Sequence, residues 1–421
     1  MQEQFFILGL ILLAGFVANW IFARTRVSQV LILLALGFLL GPVAGIVDSS
    51  KGSVLADLTP FVGALALIIL LFDGGITLNV FDLVKVLPRA TAFTLFVFAT
   101  SIGVTAILAK IALGWGWGNG LLLGAAVGGT SAAIVLAMLD KARASQESKS
   151  LLALESTATD ALCIVTAFVI IQVLKSNVAM DASSIANLIA ASFSIALMAG
   201  VAAAALWLIV LRKLNKHAFP YMLTIAVVFL LYALVETARG NGGIAVFAFG
   251  LVLGNAQRVA ETFKLKGDYA LKSEIMAFQG EVTFFTRTFF FVFLGLVITL
   301  EGITPTIAGI AAALSILLLL ARKAAQKIIL PQARDAQLVT YMMPRGLAAA
   351  VLAGLPAAQG LRADGFVEIT LIVIIISNVI ATLGVLAQPS PQKLRAAQPT
   401  PPATEPPGKP RIVPAEKPPA K

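Results

Sequence analysis

Long apolar stretches, separated by short polar or charged breaks, recur along the whole chain. A helix needs about 20 predominantly apolar residues to cross the hydrocarbon core of a bilayer, and each stretch is close to that length. The stretches predict thirteen transmembrane spans, over residues 4–23, 28–46, 60–79, 89–109, 118–139, 150–174, 185–211, 218–237, 240–256, 283–300, 303–321, 337–358 and 366–387. The pattern therefore predicts an all-α, polytopic membrane protein.

The composition agrees with this fold class and excludes several others. Of the 421 residues, 59% are hydrophobic and 12% are charged, with a mean hydropathy of +0.95. Soluble globular domains have about 45–50% apolar and about 25% charged residues. With one cysteine and one histidine, and without the spacings of nucleotide or zinc sites, we expect no cofactor, no catalytic residues and no enzyme activity. We assign the net charge of +10 to cytoplasmic loops and not to nucleic-acid binding.

The loops alternate in their content of lysine and arginine. Loops after odd-numbered spans and the C-terminal tail hold 24 of the 31 basic residues, and the N-terminus with the other loops holds 5. Basic residues collect on the cytoplasmic side, so we expect a multi-pass plasma-membrane protein with its N-terminus outside and its C-terminus in the cytoplasm. Residues 1–388 then form the transmembrane domain. Residues 389–421 hold 11 of the 19 prolines and predict a disordered cytoplasmic tail.

Three short stretches recur in the same order, 213 to 221 residues further along the chain. The matching pairs are Gly37–Gly41 with Gly250–Gly254, Leu71–Leu78 with Val292–Leu300, and Ala132–Ala137 with Ala348–Ala353. Partners lie seven spans apart, an odd number, so the two halves would have opposite orientations in the membrane. Inverted repeats of this kind are typical of secondary transporters.

Five charged residues fall well inside predicted spans, where an ionisable group costs about 2.5–3.5 kcal/mol and needs a partner or a function. They are Asp73, Glu155, Asp160, Arg287 and Arg345. Asp73 precedes two glycines, which favour close helix packing. Its surroundings leave two interpretations open, an acid on the access path of an ion or a structural group.

Asp160 is the strongest candidate for a functional carboxylate, because no lysine or arginine lies within a helical turn of it. Ser156 precedes it by four residues and shares its helix face, whereas Glu155 points about 140° away. We therefore expect Asp160 and Ser156 to line a cavity. Glu155 is expected to pair with an arginine, for which Arg287 is the first choice and Arg345 the second.

Spans 5 and 12 each contain residues that weaken a helix at repeat-related positions. These are Gly128–Ser131 and Pro344–Gly346. Glycine and proline there would leave carbonyl groups free, and the helix ends of the two spans would meet near the midplane. Such carbonyls, with the Thr130 hydroxyl and a carboxylate, are oxygen ligands suited to a small cation. Arg345 would offset the negative ends of the broken helices.

Five stretches together resemble the monovalent cation:proton antiporters of the NhaP type, which are relatives of the sodium/proton exchangers. They are Leu71–Gly75, Gly128–Ser131, Glu155–Asp160, Arg287–Phe291 and Pro344–Gly346. The resemblance implies about thirteen helices in two inverted repeats, with crossed discontinuous helices at spans 5 and 12. It also implies a core around spans 3–6 and 10–13, the remainder forming a dimerisation domain.

The same resemblance implies roles for individual residues. Asp160 would alternately carry the cation and the proton, with Thr130, Ser156 and Glu155 around the ion, and Arg287 and Arg345 as core arginines. The family usually has asparagine before this aspartate, whereas this chain has Thr159. We place Thr159 in the ion site, where its hydroxyl must make different hydrogen bonds from an amide.

We therefore expect a secondary antiporter, active as a homodimer in the lipid bilayer, that exchanges Na⁺ or Li⁺ for H⁺ in pH and sodium homeostasis. Exchange should be electroneutral, since Thr159 has no proton to lose at physiological pH. A K⁺/H⁺ antiporter of the same fold is the alternative. A cation channel is a weaker alternative, because it needs no proton counterflow. An anion symporter is weaker too, because it needs a cationic pocket, whereas Asp160 is an acid without an adjacent base. A membrane-embedded enzyme fits least, as no nucleophile–base pair is present.

Overall fold

The computed structural model describes residues 2–25, 27–45, 54–78, 88–142, 144–175, 182–214, 220–238, 240–262, 264, 269, 273–298, 302–361 and 363–387. The predicted proline-rich tail, 389–421, lies outside the described residues, as does the histidine at position 217. Residues 1–386 form one compact unit. The fold described below is that of this unit.

Helices account for nearly all of the described residues. In chain order they are α1 (Gln2–Thr25), α2 (Gln29–Phe38, continued by a π-helical turn at Leu39–Val43), α3 (Val54–Thr77), α4 (Pro88–Leu113), α5 (Trp117–Gly128), α6 (Ala132–Lys141), α7 (Gln146–Lys175), α8 (Ala182–Leu214), α9 (Pro220–Thr237), α10 (Gly242–Gly254), α11 (Ala256–Thr262), α12 (Ser273–Val297), α13 (Pro305–Ile329), α14 (Ala336–Tyr341), α15 (Leu347–Ala358) and α16 (Phe366–Leu386). The all-helical fold class is confirmed.

Each predicted span coincides with one helix or with a broken pair. Within the described residues, six helical segments are long and apolar enough to cross a membrane, and the pair α10–α11, bent by 66°, makes a seventh. Five of the other six predicted spans correspond to shorter apolar helices, and the sixth, 283–300, overlaps α12. The count of thirteen transmembrane spans therefore stays a prediction.

The repeated glycine stretches form two equivalent helix contacts. In the first half, Gly37 of α2 packs against α12, where an added Cβ would collide with the backbone oxygen of Val292. In the second half, Gly250 of α10 packs against α3, where an added Cβ would lie 2.7 Å from the backbone oxygen of Phe72. Only a residue without a side chain permits this approach. Because the repeat relates α2 to α10 and α3 to α12, the two contacts are counterparts, which supports the internal repeat.

The two predicted breaks are present and touch each other. Span 5 is divided into α5 and α6 around Gly129–Ser131, and span 12 into α14 and α15 around Met342–Gly346. The backbone N–H of Ser131 donates to the carbonyl of Pro344 at 2.9 Å. A backbone bond between the breaks is available because neither segment uses these groups within a helix. The prediction that the helix breaks meet is confirmed.

The segments leading into α7 and α14 are joined by a second contact, outside the predicted spans. Both the backbone N–H and the hydroxyl of Ser145 donate to Oδ2 of Asp335, at 2.8 and 2.7 Å. Partial burial opposes ionisation of Asp335, but these hydrogen bonds outweigh it and lower the pKa of Asp335 from its ordinary value. The bonds favour the charged carboxylate, so they strengthen as it ionises.

Replacing Asp335 by asparagine is expected to lower the thermal stability at pH 7 and to matter less in acid. A pKa lowered in the folded state contributes stability above the unfolded value of about 3.9, and loses it as the pH falls through the folded value. The measurement is the Tm of both proteins in detergent from pH 7 to pH 3. A difference in Tm that stays constant over this range would show that ionised Asp335 contributes nothing.

Candidate cation-binding site

Asp160 lies in the middle of α7 and lines a cavity of about 60 Å³. A cavity needs about 10–15 Å³ of this accessible volume to hold one water molecule, so the space is sufficient for a small cation together with water. The cavity is formed by residues of α3, α7, α10 and α12, together with the beginnings of α6 and α15. The first residues after both helix breaks therefore face the same space as Asp160.

One oxygen of Asp160 is fixed by the end of a broken helix. Oδ2 accepts a hydrogen bond of 2.9 Å from the backbone N–H of Ala132, the first residue of α6. The first N–H groups of a helix have no partner within it and carry its positive end. The break in span 5 thus supplies a donor to the carboxylate. No donor within the described part of the chain reaches Oδ1, so this oxygen is available to a cation or a proton.

Asp160 shares its cavity with two other charged residues, Asp73 of α3 and Arg287 of α12. The guanidinium of Arg287 attracts both carboxylates, and the two carboxylates repel each other. Asp73 also accepts a hydrogen bond of 3.3 Å from Nε2 of Gln279. The cavity wall therefore carries two acids and one base.

Thr159 and Thr130 form a brace behind the cavity. The backbone N–H of Thr130 donates to Oγ1 of Thr159 at 3.0 Å, and the two hydroxyl oxygens lie 3.4 Å apart. Both residues are buried. The brace joins the break between α5 and α6 to α7, one residue before Asp160. The hydroxyl of Thr159 thus bonds to the helix break, and its predicted place among the ion ligands stays a prediction.

Glu155 pairs with an arginine, but the predicted partner is wrong. Nη1 and Nη2 of Arg322, on α13, donate to the two carboxylate oxygens of Glu155, the second bond measuring 2.7 Å. Nε of Arg322 donates to the carbonyl of Val339 at 2.7 Å, on α14. Arg287 instead faces Asp73 and Asp160. The pair therefore joins α7, α13 and the first half of the broken span 12.

Arg345 is held in the second break by its backbone. Its N–H donates to Oγ of Ser377 at 3.0 Å, and its carbonyl accepts from Nδ2 of Asn378 at 2.7 Å. The side chain is 2% exposed, and within the described residues its Nε and Nη1 have no hydrogen-bond partner. Its charge is attracted by Glu155 and Asp160 and repelled by Arg322. Arg345 thus acts on the site through its electric field.

The structure divides the predicted site residues into two groups. Asp73, Asp160 and Arg287 line the cavity. The others lie behind its wall, each buried: Thr130, Glu155, Ser156, Thr159 and Arg345. The hydroxyl of Ser156 donates to the carbonyl of Ala153 at 3.1 Å and does not line the cavity in this arrangement. Its place there is taken by Thr157 and Ser131.

Three residues with evident structural roles near the site are absent from the sequence-based set: Arg322, Gln279 and Tyr221. A signal for Arg322 does exist in the sequence. The buried residues of α13 recur every three or four positions and include Arg322 between Leu318 and Ala325, so the inward face of the helix extends past the predicted end of the span at 321. Gln279 lies in a segment that precedes the predicted span 283–300, where no local pattern marks it.

Comparisons with known proteins identify the family and the fold of the chain. A model of the family described as "Sodium/hydrogen exchanger, transmembrane" matches residues 9–387. A solved structure of the sodium proton antiporter MjNhaP1 from Methanocaldococcus jannaschii superposes with a TM-score of 0.72 at 22% identity, covering 90% of this chain and 98% of that one. This likeness shows that the two chains share a fold.

Curated relatives carry two kinds of name. The K⁺/H⁺ antiporter NhaP of Alkalimonas amylolytica is 26% identical over 384 residues, covering 89% of this chain and 64% of the relative. The Na⁺/H⁺ antiporter 1 of Methanocaldococcus jannaschii is 25% identical over 308 residues, covering 70% of this chain and 68% of that protein. The chain thus spans a little less than two thirds of the K⁺/H⁺ relative. Because the family match runs from residue 9 to residue 387, the chain belongs to the sodium/hydrogen exchanger family of transmembrane transporters.

Proposed function

We propose that this protein is a secondary antiporter that exchanges Na⁺, with Li⁺ as a second substrate, for H⁺ by alternating access. The observation that carries the proposal is the carboxylate of Asp160, which has one oxygen fixed by α6 and the other available in a cavity of about 60 Å³. A cation and a proton compete for this one group. Obligatory exchange follows because the empty, charged carboxylate is costly to move through a low-dielectric barrier.

The residues behind the cavity support Asp160 in this proposal. The Thr130–Thr159 brace sets the position of the broken helix against α7. The Glu155–Arg322 pair fixes the opposite face of α7, so Glu155 acts on the ion by holding the helix. Arg345 offsets negative charge at the helix breaks. Ser156 becomes an ion ligand only if its side chain leaves the carbonyl of Ala153.

The proposal includes the surroundings of the protein. Residues 1–388 form the transmembrane unit in the plasma membrane, with the N-terminus outside and the C-terminus in the cytoplasm. Assigning Arg322 to the interior of α13 lowers the number of basic residues on the predicted cytoplasmic side from 24 to 23, which leaves the bias intact.

The proposal also includes a homodimer, whose interface is formed by helices outside spans 3–6 and 10–13. Light scattering in detergent measures the mass and tests this interface.

Cation-driven proton flux in proteoliposomes tests the function. Purified protein is expected to produce a pH change in the lumen when Na⁺ or Li⁺ is added outside, and a smaller one with K⁺. A larger response to K⁺ would assign the chain to K⁺/H⁺ exchange, in line with the name of the Alkalimonas relative. Proton flux that is independent of every cation, or cation flux without protons, would contradict antiport.

The same vesicles test the stoichiometry. One proton for one cation is expected because Thr159 cannot ionise and both oxygens of Glu155 are bound by Arg322. The equilibrium cation gradient should then be the same at zero and at a large negative membrane potential. A net charge would gain about 2.3 kcal/mol per 100 mV, so a several-fold change in the gradient would contradict one-for-one exchange.

A further inference from the structure

A short chain of buried hydrogen bonds leads from α9 to the cation cavity. The hydroxyl of Tyr221 donates to Oε1 of Gln279 at 2.5 Å. Nε2 of Gln279 donates to Oδ1 of Asp73 at 3.3 Å and to Oγ1 of Thr283 at 3.1 Å. Asp73 in turn lines the cavity that contains Asp160. Tyr221, Gln279 and Thr283 are buried, so water does not replace their bonds readily.

The direction of these bonds is set at the Asp73 end of the chain. An ionised carboxylate only accepts hydrogen bonds, so Nε2 of Gln279 faces Asp73 and Oε1 faces Tyr221, whose hydroxyl donates to it. The ring of Tyr221 is itself held edge-on by Phe278, with 4.3 Å between ring centroids. The amide is therefore fixed in one of its two orientations. Asp73 meets an N–H donor, which a carboxylate oxygen accepts.

Two interactions compete for the carboxylate of Asp73. Gln279 and Arg287 both lie on α12, eight residues apart, with Thr283 midway on the same stripe of the helix. The charged groups that act on Asp73 from neighbouring helices are Arg287 of α12 and Asp160 of α7. The Thr283 hydroxyl also bonds to Asp73. Without Gln279, this one bond would oppose the attraction of Asp73 to the guanidinium of Arg287. The negative charge of Asp73 would then interact mainly with Arg287 and would attract a cation in the cavity less strongly.

We propose that Tyr221 and Gln279 are positioning residues for Asp73. They hold one carboxylate oxygen on the α12 side, so that Asp73 and Asp160 together attract the cation while Asp160 carries it. This assignment rests on the proposed antiport function. It gives Asp73 a fixed place on the path of the ion, and it makes the apparent affinity for the cation depend on Tyr221, a residue that does not touch the cavity.

The variant Tyr221→Phe tests the assignment, because it keeps the ring and its contact with Phe278 while removing the donor. We expect the KM for Na⁺ to rise about three- to tenfold, which is the effect of one typical hydrogen bond, with a maximal rate within about twofold of the wild type. Gln279→Leu should give the same or a larger rise. Tyr232→Phe is the matched control, since Tyr232 lies on the same helix and away from this cavity, and its KM should not change.

A double-mutant cycle separates positioning from general damage. If Tyr221 acts through Asp73, then Tyr221→Phe should add little to the KM of Asp73→Asn. Effects that multiply, an unchanged KM in both single variants, or a fall in maximal rate alone would each overturn the assignment. Absence of cation-driven flux in the wild-type protein would instead contradict the proposed function, so the two failures are distinguishable.

Discussion

Replacing Asp160 by asparagine is expected to abolish cation-driven proton flux, to below about 1% of the wild-type rate, while the protein folds and inserts normally. Asparagine has nearly the same shape and keeps an oxygen that accepts the hydrogen bond from Ala132, so the contact with α6 survives. The amide, however, neither carries a negative charge nor releases a proton at physiological pH. The exchange loses the one group for which cation and proton compete.

The measurement is dequenching of a pH-sensitive dye in proteoliposomes that contain equal amounts of each purified protein. Asp364→Asn serves as the control, because Asp364 is an exposed acid that does not line the cavity, and its flux should match the wild type. The elution profile in detergent establishes that Asp160→Asn is folded. Flux near the wild-type rate in this variant would remove Asp160 from the mechanism.

Much of the fold could be predicted because its constraints are local. Apolar length determines where a helix crosses a bilayer, and the glycines of α2 and α10 mark the two close helix contacts. The helix breaks follow from glycine and proline at repeat-related positions. Asp160 was accessible to the same reasoning, since a carboxylate in an apolar helix without a nearby base has few structural explanations.

The partners of the buried charges could not be predicted in the same way. Which arginine meets Glu155 depends on how α7 packs against α13, and the two residues are 167 positions apart. The sequence places Arg322 one residue beyond an apolar run, where it resembles an ordinary cytoplasmic arginine. The chain from Tyr221 to Asp73 depends likewise on three helices that meet only in the folded protein.

The ion pair between Glu155 and Arg322 is expected to have the largest effect on stability. Both side chains are almost fully buried, at 1% and 2% exposure, and the guanidinium makes two parallel bonds to the carboxylate. Removing one partner leaves the other as an uncompensated charge, which commonly costs about 3–5 kcal/mol. We therefore expect Glu155→Leu and Arg322→Met each to lower the thermal stability in detergent sharply, with loss of much of the folded protein at growth temperature.

The double variant, Glu155→Leu with Arg322→Met, should recover most of the stability, because two apolar side chains of similar volume leave no unpaired charge. Recovery should be incomplete, since the carbonyl of Val339 also loses its bond to Nε of Arg322. The Tm values of the four proteins form a double-mutant cycle, and Lys323→Met, an exposed neighbour on α13, is the control for loss of positive charge. A second cycle with Arg287→Met should be additive, because Arg287 does not bond to Glu155. Additive losses in the first cycle, or strong coupling in the second, would indicate that Glu155 pairs with Arg287 and not with Arg322. The packing of α7 would then differ from that described here.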